Sequence, residues 1–500
     1  MKPPTRRALN RRYFLQTAAA AGVGFVACAR RAGHGVQAWV NDVHSRLNRT
    51  RVRRIVRVDS REQVVDTIVA DARRGTPVCT AGSRHAMGGQ QFRTDGILLD
   101  MTRLNRVVGF DPAAGTIDVE GGIEWPELIN FLIREQAATR NAWGIRQKQT
   151  GADRMTIGGA ISANAHGRGL TMAPFVADLE SFELIDANGL LWICSRERNR
   201  ELFALAAGGY GLFGVIVSAR LRLAPRAKLE RSVQEVRIEN LIDAFDESIA
   251  DGALYGDWRY SIDERSPDFL RTGVFSCYRP VDPETPIPRG QQRLTGDDWR
   301  KLLYQTHAQK ARAYRTLLDH TLSTSGQIYW SDTHQLSAYL ADYHQALDER
   351  LGSRTPATDI ITEIYVPRPR LGDFMQAVRE DFLANDVDVI HGAVRLIEKD
   401  DDSFLAWARQ PYACVTFYLH TEHSPDALDQ TAEAFRRLID LAIERDGSYY
   451  LTYHRFARRE QLEACYPQFE RFLTLKREFD PDERFQSDWY DHYKRLLAGS

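Results

Sequence analysis

The chain lacks the features that tie a 500-residue protein to nucleic acid, a metal or a disulfide scaffold. Its charges nearly cancel: 66 Lys and Arg stand against 67 Asp and Glu, for a net charge of −1. No basic excess exists to neutralise phosphates, so no nucleic-acid partner is expected. Cysteine is scarce. Cys28, Cys79, Cys194, Cys277, Cys414 and Cys465 lie far apart, with no Cys-x-x-Cys and no metal-like spacing, so no metal site is expected. Setting Cys28 aside leaves an odd number, which makes no disulfide framework; one bridge at most and otherwise buried apolar thiols are expected. No apolar run is long enough for a membrane-spanning helix. Internal repeats and low-complexity segments are absent too.

The N-terminus carries its own signal. Met1 to Arg7 is basic, Asn10-Arg11-Arg12-Tyr13-Phe14-Leu15-Gln16 follows, and Thr17 to Ala27 is a short stretch of small and apolar residues. Basic, apolar and small-residue regions in that order read as a secretory signal over residues 1–29. The paired arginines ahead of Phe-Leu match the twin-arginine variant, so the translocon of that route is an expected partner. Phe25-Val26-Ala27-Cys28 resembles a lipoprotein box, and Ala27-Cys28-Ala29 serves equally as a cleavage site. A periplasmic or exported protein is expected, with membrane attachment only if Cys28 is lipidated.

After a leader over 30–50, the remaining length calls for more than one ordinary core. Ser60-Arg61-Glu62-Gln63 is a capping box for a helix with Val64, Val65, Ile68 and Val69 on its inner stripe, ended by Gly75. Pro77 to Thr80 and Gly96 to Asp100 read as strands, and Pro126 opens a helix reaching Gln136. Asp186-Ala187-Asn188-Gly189 is a hairpin signal between two strands. Val215 to Val217 and Leu221 to Leu223 read as two short strands. Beyond Pro225, Pro280 to Gly296 reads as a surface loop and Arg300 to Leu347 as helical. Ile360 to Val366, Val387 to Leu396 and Ala413 to Leu419 read as strands, and Pro425 to Glu444 as an amphipathic helix.

Three glycine-rich segments lie between residues 81 and 214, each beside a strand. None is a Walker A loop or a GxGxxG after a first strand. Glycine lets successive backbone N–H groups approach an anion closely. One such segment makes a turn; three in this order point to a ligand with phosphates.

These segments resemble the FAD-binding domain of the vanillyl-alcohol oxidase family, also called the PCMH-type domain, over residues 51–225. Ala81-Gly82-Ser83-Arg84-His85-Ala86-Met87-Gly88-Gly89-Gln90 is similar to its first phosphate loop. Thr156-Ile157-Gly158-Gly159-Ala160-Ile161-Ser162 with His166-Gly167 is similar to the second. Gly208-Gly209-Tyr210-Gly211-Leu212-Phe213-Gly214-Val215-Ile216 is similar to the segment that closes over the flavin. The resemblance implies FAD as cofactor. It further implies an α+β fold: a two-subdomain PCMH-type domain over 51–225, an α+β substrate (cap) domain over 226–445, and a C-terminal segment, 446–500, packing back on the FAD domain. In covalent members a His in the first loop links to the flavin 8α-methyl, and His85 occupies that position. A neutral imidazole nitrogen suits attack on that carbon. His166 is assigned to cofactor binding.

Tyr449 to Tyr493 is similar to the alditol oxidase, aldonolactone oxidase and decaprenylphosphoryl-ribose oxidase branches. Cys465-Tyr466-Pro467, Lys476 and Asp480-Pro481-x-x-x-Phe485-x-Ser487-Asp488 carry that likeness. Those relatives place a catalytic Lys on the preceding strand, and Tyr450-Leu451-Thr452-Tyr453-His454-Arg455 has none. On a strand only one of Tyr453 and His454 faces the flavin, and a neutral His accepts a proton more readily near pH 7. His454 is the preferred base and Tyr453 the alternative. Arg395 matches an active-site arginine of alditol oxidase, but the glutamate two residues before it is Ala393 here. Glu363 is a candidate substitute or an ordinary solvent-facing Glu.

The expectation is an FAD-linked enzyme that oxidises a CH–OH group of a small molecule such as a sugar or lactone, with dioxygen or a periplasmic acceptor reoxidising the flavin. The other class open at this point is a flavin-carrying binding or electron-transfer protein with a degenerate site.

Overall fold

The N-terminal part is built on two small sheets whose apolar runs dictate their kind. In the computed structural model, which describes residues 38–72, 75–337, 340 and 343–499, Ile97–Asp100 is the centre of a three-stranded parallel sheet between Arg54–Arg57 and Val78–Ala81. All four of its residues are buried, as expected of a parallel strand covered on both faces. The helix Arg61–Ala72 crosses from the first edge strand to the second. Its cap closes one residue earlier than a standard box: the Gln63 amide N–H donates to Ser60 Oγ at 3.3 Å, and Gln63 Oε1 accepts from the Asp59 amide at 3.2 Å. The signal segment 1–29, Cys28 included, lies outside the described residues.

The second sheet is antiparallel, in the order Leu191–Ser195, Leu179–Ile185, Val215–Arg222, Thr116–Glu120, Val107–Asp111. The hairpin at Asp186–Gly189 forms, with Gly189 at φ +79° and Asp186 Oδ1 accepting two amides. The two strands expected between Val215 and Leu223 are one strand with a bulge between Ile216 and Ser218. The bulge lets one strand serve two cores. Val215 and Val217 pack with Ile97 and Leu99, whereas Ile216, Ala219 and Leu221 join the main cluster.

From Lys228 onward the chain builds one eight-stranded sheet, ordered Ile328–Trp330, Lys228–Arg237, Thr272–Pro280, Tyr255–Tyr260, Val389–Ile397, Tyr412–Glu422, Ala357–Pro367, Ser448–Tyr449. Ile360, Ile364 and Val366 point from Ala357–Pro367 into the core with Phe374 and Val378 of helix Leu371–Ala384 and Phe435 and Leu438 of helix Pro425–Ile443. Asp359, Ile361 and Glu363 face the other way, into a cavity. The stretch expected to be helical over 300–347 is instead two helices, Gly296–Ala308 and Lys310–Ser323, followed by strand Ile328–Trp330, a short 3-10 turn and helix Tyr343–Leu351. Gln309 (φ −150°) interrupts the first two, and Gly326 (φ +83°) turns the chain onto the sheet edge beside Lys228–Glu230.

The C-terminal segment returns to the parallel sheet: the Val78 amide donates to Arg484 O at 2.7 Å and the Gln486 amide to Val78 O at 3.0 Å. Residues 450–455 are not a strand. The Gln90 side chain takes the Leu451 and Thr452 carbonyls at 3.0 and 2.9 Å, and Trp489 Nε1 also donates to Leu451 O, so the bonds a ladder would need are spent on side chains. The described residues belong to a single compact unit. Cys79, Cys194, Cys277, Cys414 and Cys465 are all buried free thiols.

One ion pair secures the return. Lys476 is fully buried against Asp480, whose carboxylate also accepts the Arg484 and Phe485 amides. Removing Asp480 leaves a buried ammonium without its counter-charge. Asp480→Ala is expected to cost about 3–5 kcal/mol in urea unfolding, and Asp480→Asn less.

Candidate functional site

The first glycine-rich loop leaves strand Val78–Ala81 and has no room for a side chain where it turns. A Cβ on Gly82 would sit 2.1 Å from Thr156 Oγ1, so the first and second segments meet there directly. Arg84 takes φ +61°, which turns the loop back toward the sheet. Among the described residues, the backbone N–H groups of Gly82, Ser83, Arg84 and Ala86 find no acceptor. Successive unpaired N–H groups along one loop make a concave anion site. The second segment is held from below, with the Gly158 amide donating to Gly121 O at 2.7 Å and Thr156 Oγ1 accepting from the Gly159 amide. The third docks on the second through Gly208 N to Ile161 O and Tyr210 N to Ser162 O, both 3.0 Å. Separate in sequence, the three segments form one wall of a cavity of about 410 Å³.

Of the residues expected at the cofactor, Gly82, Ser83, Arg84, His85, Ala86, Gln90, Thr156, Gly158, Gly159, Ser162, His166, Gly214 and Ile216 line this cavity. Three do not. Ala81 is the end of a buried strand, its carbonyl taken by Met101 N. Gly167 backs onto the Lys148 carbonyl, and Gly209 onto Leu205 O. Tyr210 and Gly211 line the wall in place of Gly209.

His85 Nδ1 lies 2.8 Å from His44 Nε2. Burial, the neighbouring His44 and the Lys148 ammonium push the His85 imidazole down to about 3, so it is neutral near pH 7. Lys148 is itself fully buried, 2.8 Å from Asp153.

The opposite wall is the sheet. Cross-strand register sets residues of three neighbouring strands in rows: Arg395, Cys414 and Tyr365; then Ala393, Thr416 and Glu363; then His391, Tyr418 and Ile361; then His420 and Asp359. Glu363 therefore lies in the same row as Ala393, two strands away, and carries the carboxylate missing from that position. It is not solvent-facing, being only 4% exposed. Its oxygens meet His166 Nε2 at 2.9 Å, Thr416 Oγ1 and Tyr365 OH at 3.2 Å each, and the Arg395 guanidinium at 3.5 Å. Burial works to raise its pKa, but His166 and Arg395 outweigh it and hold Glu363 at about 2. His166 Nδ1 is 3.1 Å from Gly167 O, so the ring is fixed at both nitrogens.

Among the described residues, Arg395 is buried with its Nε unpartnered and that 3.5 Å contact as its single ion pair. Tyr453 lines the cavity and His454 does not. The expected preference is thereby reversed: His454 turns away, stacks on Phe456 and leaves its Nε2 buried without a partner. Burial pushes His454 down to about 4 and Tyr453 well above the usual phenol range.

His391 and Tyr418 were missed by sequence reasoning. Both face the cavity, their rings 5.0 Å apart, with no hydrogen bond from either side chain among the described residues. Alternating polar residues at 414, 416, 418 and 420 were the signal available. At the far end Asp359 Oδ1 faces His307 Nε2 at 3.1 Å and His420 Nδ1 at 3.3 Å, while Tyr343 OH bonds Oδ2 at 2.5 Å.

The site is thus a cradle of unpartnered backbone N–H groups facing a charged sheet. Residues 52–195 match the family described as FAD binding domain, and the chain carries an FAD-binding domain of the PCMH type in an α+β fold. Two of the relatives it resembles are named for acting on lactones. The chain is 24% identical to L-gulono-1,4-lactone dehydrogenase of Mycobacterium tuberculosis (strain ATCC 25618 / H37Rv) over 445 residues, 89% of this chain and 96% of that protein. It is 27% identical to L-gulonolactone oxidase of Bos taurus over 153 residues, 31% of this chain and 33% of that protein. Cytokinin dehydrogenase 9 of Oryza sativa subsp. japonica is 25% identical over 230 residues, 44% of this chain and 41% of that protein.

The Asp359 cluster makes stability depend on pH from both sides. For His307, burial lowers the pKa but Asp359 more than offsets it, leaving it raised; its contribution is full below the unfolded His value and is lost as pH rises through the raised one. For Asp359, burial raises the pKa but the two histidines outweigh it, leaving it depressed; its contribution is present above the unfolded Asp value and is lost as pH falls through the depressed one. Urea unfolding across pH should therefore show a plateau between the two limits, and Asp359→Asn should flatten both shoulders.

Proposed function

We propose that the chain oxidises a CH–OH group of a hydroxylated small molecule, such as a sugar, lactone or related alcohol, with FAD held covalently through His85. Bound FAD would supply the hydride acceptor. The N–H groups of Gly82, Ser83, Arg84 and Ala86 would hold its phosphates, and the neutral His85 ring offers the nucleophilic nitrogen that linkage requires.

The observation that carries the enzymatic reading is Arg395, a buried cation aimed into the cavity with an unpartnered Nε. Such a group receives the substrate oxygen and stabilises negative charge as the O–H bond breaks. Tyr453 stays protonated and donates a second hydrogen bond. The group placed to take the hydroxyl proton is His391, whose nitrogens have no hydrogen-bond partner among the described residues; burial and the cations Arg259 and Arg395 hold it down at about 3, so it is neutral, and a weak base, near pH 7. Glu363 fixes Arg395 and is no base, since its oxygens already have partners.

The acceptor that reoxidises the flavin is dioxygen or a periplasmic partner. Export by the twin-arginine route is part of the proposal, supported by Asn10 to Gln16 and by the need to acquire cofactor before crossing the membrane.

A panel of alcohols, sugars and lactones mixed anaerobically with the purified protein should bleach the flavin band near about 450 nm. Bleaching by none of them would sink the enzymatic reading. Arg395→Met is expected to slow bleaching by about 10²–10³ with flavin content unchanged. Peroxide release on turnover separates oxidase from dehydrogenase.

The linkage is tested separately. Acid-precipitated wild type should stay yellow, and His85→Ala should release its flavin. A colourless wild-type pellet would overturn covalency and leave FAD binding intact.

A further inference from the structure

Helix Gly296–Ala308 lines the cavity at the Asp359 end of the sheet. Trp299, Leu302, Leu303 and Thr306 line the cavity from it. Their spacing, i, i+3, i+4 and i+7, is the inward stripe of an amphipathic helix. Such a stripe normally packs into a core. Here Trp299, Leu302 and Leu303 belong to none of the hydrophobic clusters of the described residues, and neither do Ile361 and Ile390 on the sheet opposite. Leu302, Ile361 and Ile390 are nonetheless buried, at 6%, 8% and 2% exposure. They are closed off from bulk water and face the cavity rather than one another's core.

The helix is held over this space by polar contacts. His307, one residue past the stripe, bonds Asp359 on the sheet, and its other nitrogen faces Leu303 O at 2.8 Å. Toward His166 of the second glycine-rich segment the same sheet presents Arg395, with His391 and Tyr418 between. The sheet side of the cavity is therefore polar apart from Ile361 and Ile390, and the helix side is apolar. A bare sugar lactone would satisfy the sheet side and leave the helix side uncovered.

Resting on the cavity being the substrate site, we propose that the substrate carries an apolar portion that lies beneath Trp299, Leu302 and Leu303. Its class is an alkyl- or aryl-substituted hydroxylated molecule, such as a glycoside or lactone with a hydrocarbon substituent, rather than a free polyol. The CH–OH group sits at Arg395 and the hydrocarbon extends along Ile361 and Ile390 toward the helix.

The test uses the flavin-loaded enzyme, so that space belonging to the cofactor is already filled. A ladder of n-alkyl β-glucosides, ethyl to octyl, is titrated anaerobically against glucose and an unsubstituted γ-lactone, with Kd read from perturbation of the flavin spectrum. Each methylene buried under the helix should tighten binding about fourfold until the cavity is full. Leu303→Asn and Trp299→Ala should flatten the ladder while leaving the melting temperature nearly unchanged, because neither side chain supports a core.

A flat ladder in the wild type, or no perturbation by any glycoside, overturns the proposal and means that the cofactor itself covers the apolar wall. An equal slope in both variants overturns it as well. A sloping ladder without bleaching by any member would keep the apolar pocket and sink the oxidation reading. Bleaching by bare lactones with a flat ladder would do the reverse.

Discussion

The buried carboxylate of Glu363 constrains how the two parts of this protein meet. A carboxylate removed from water costs several kcal/mol unless its lone pairs are taken up. Here they are taken up by His166 from the nucleotide-binding segment and by Thr416, Tyr365 and Arg395 from the sheet. Because the partners come from both sides, the sheet can present only one face and one register to the phosphate loops. A slip of one residue along Ala357–Pro367 would turn Glu363 into the core and Ile364 into the cavity. The charge therefore does structural and chemical work together: it pins the fold and leaves Arg395 half-neutralised, with donors to spare.

A second charged station repeats the arrangement at the other end of the same strand. Asp359 and Glu363 share a face four residues apart, about 13 Å by strand geometry. Both are held ionised by neighbouring histidine, but their tasks differ. Glu363 anchors Arg395, a cation that lines the cavity. Asp359 anchors His307, and through it the helix that roofs the cavity. Ile361 separates the two, so the floor alternates polar, apolar, polar along its length. The orphaned hydrogen-bonding groups cluster toward one end and the uncovered apolar groups toward the other.

How much of this could be read in the sequence follows the range of each interaction. The phosphate loops were legible because glycine spacing is local and the backbone demands it: Gly82 is fixed by Thr156 Oγ1, whatever the rest of the chain does. The core strands were legible from their apolar runs. What failed depended on knowing where a face points. Glu363 read equally well as solvent-facing because alternation along a strand distinguishes two faces but not water from a cavity. The stripe at Trp299, Leu302 and Leu303 carries the same pattern whether it meets a core or an empty space. His454 was preferred on intrinsic basicity and on the assumption of a strand. The side chains of Gln90 and Trp489 break that strand from a distance no local pattern encodes.

The cavity is left incomplete in two distinct ways, and both bear on its ligands. Backbone N–H groups without acceptors at Gly82, Ser83, Arg84 and Ala86 each forgo a bond worth about 0.5–1.5 kcal/mol net. Leucine and tryptophan side chains that face the cavity and belong to no hydrophobic cluster among the described residues forgo part of the dispersion contact that a packed core would give. A sequence under no demand but stability would have closed both, with a tighter turn at one wall and a collapsed helix at the other. Keeping them open makes the folded state dependent on what fills the cavity, since a ligand that binds only the folded form stabilises it by mass action. A cofactor that meets the polar wall and a substrate that meets the apolar one complete the interior from opposite ends. If the linkage proposed at His85 forms, the polar wall would stay filled through every turnover, and only the apolar side of the cavity would empty and refill.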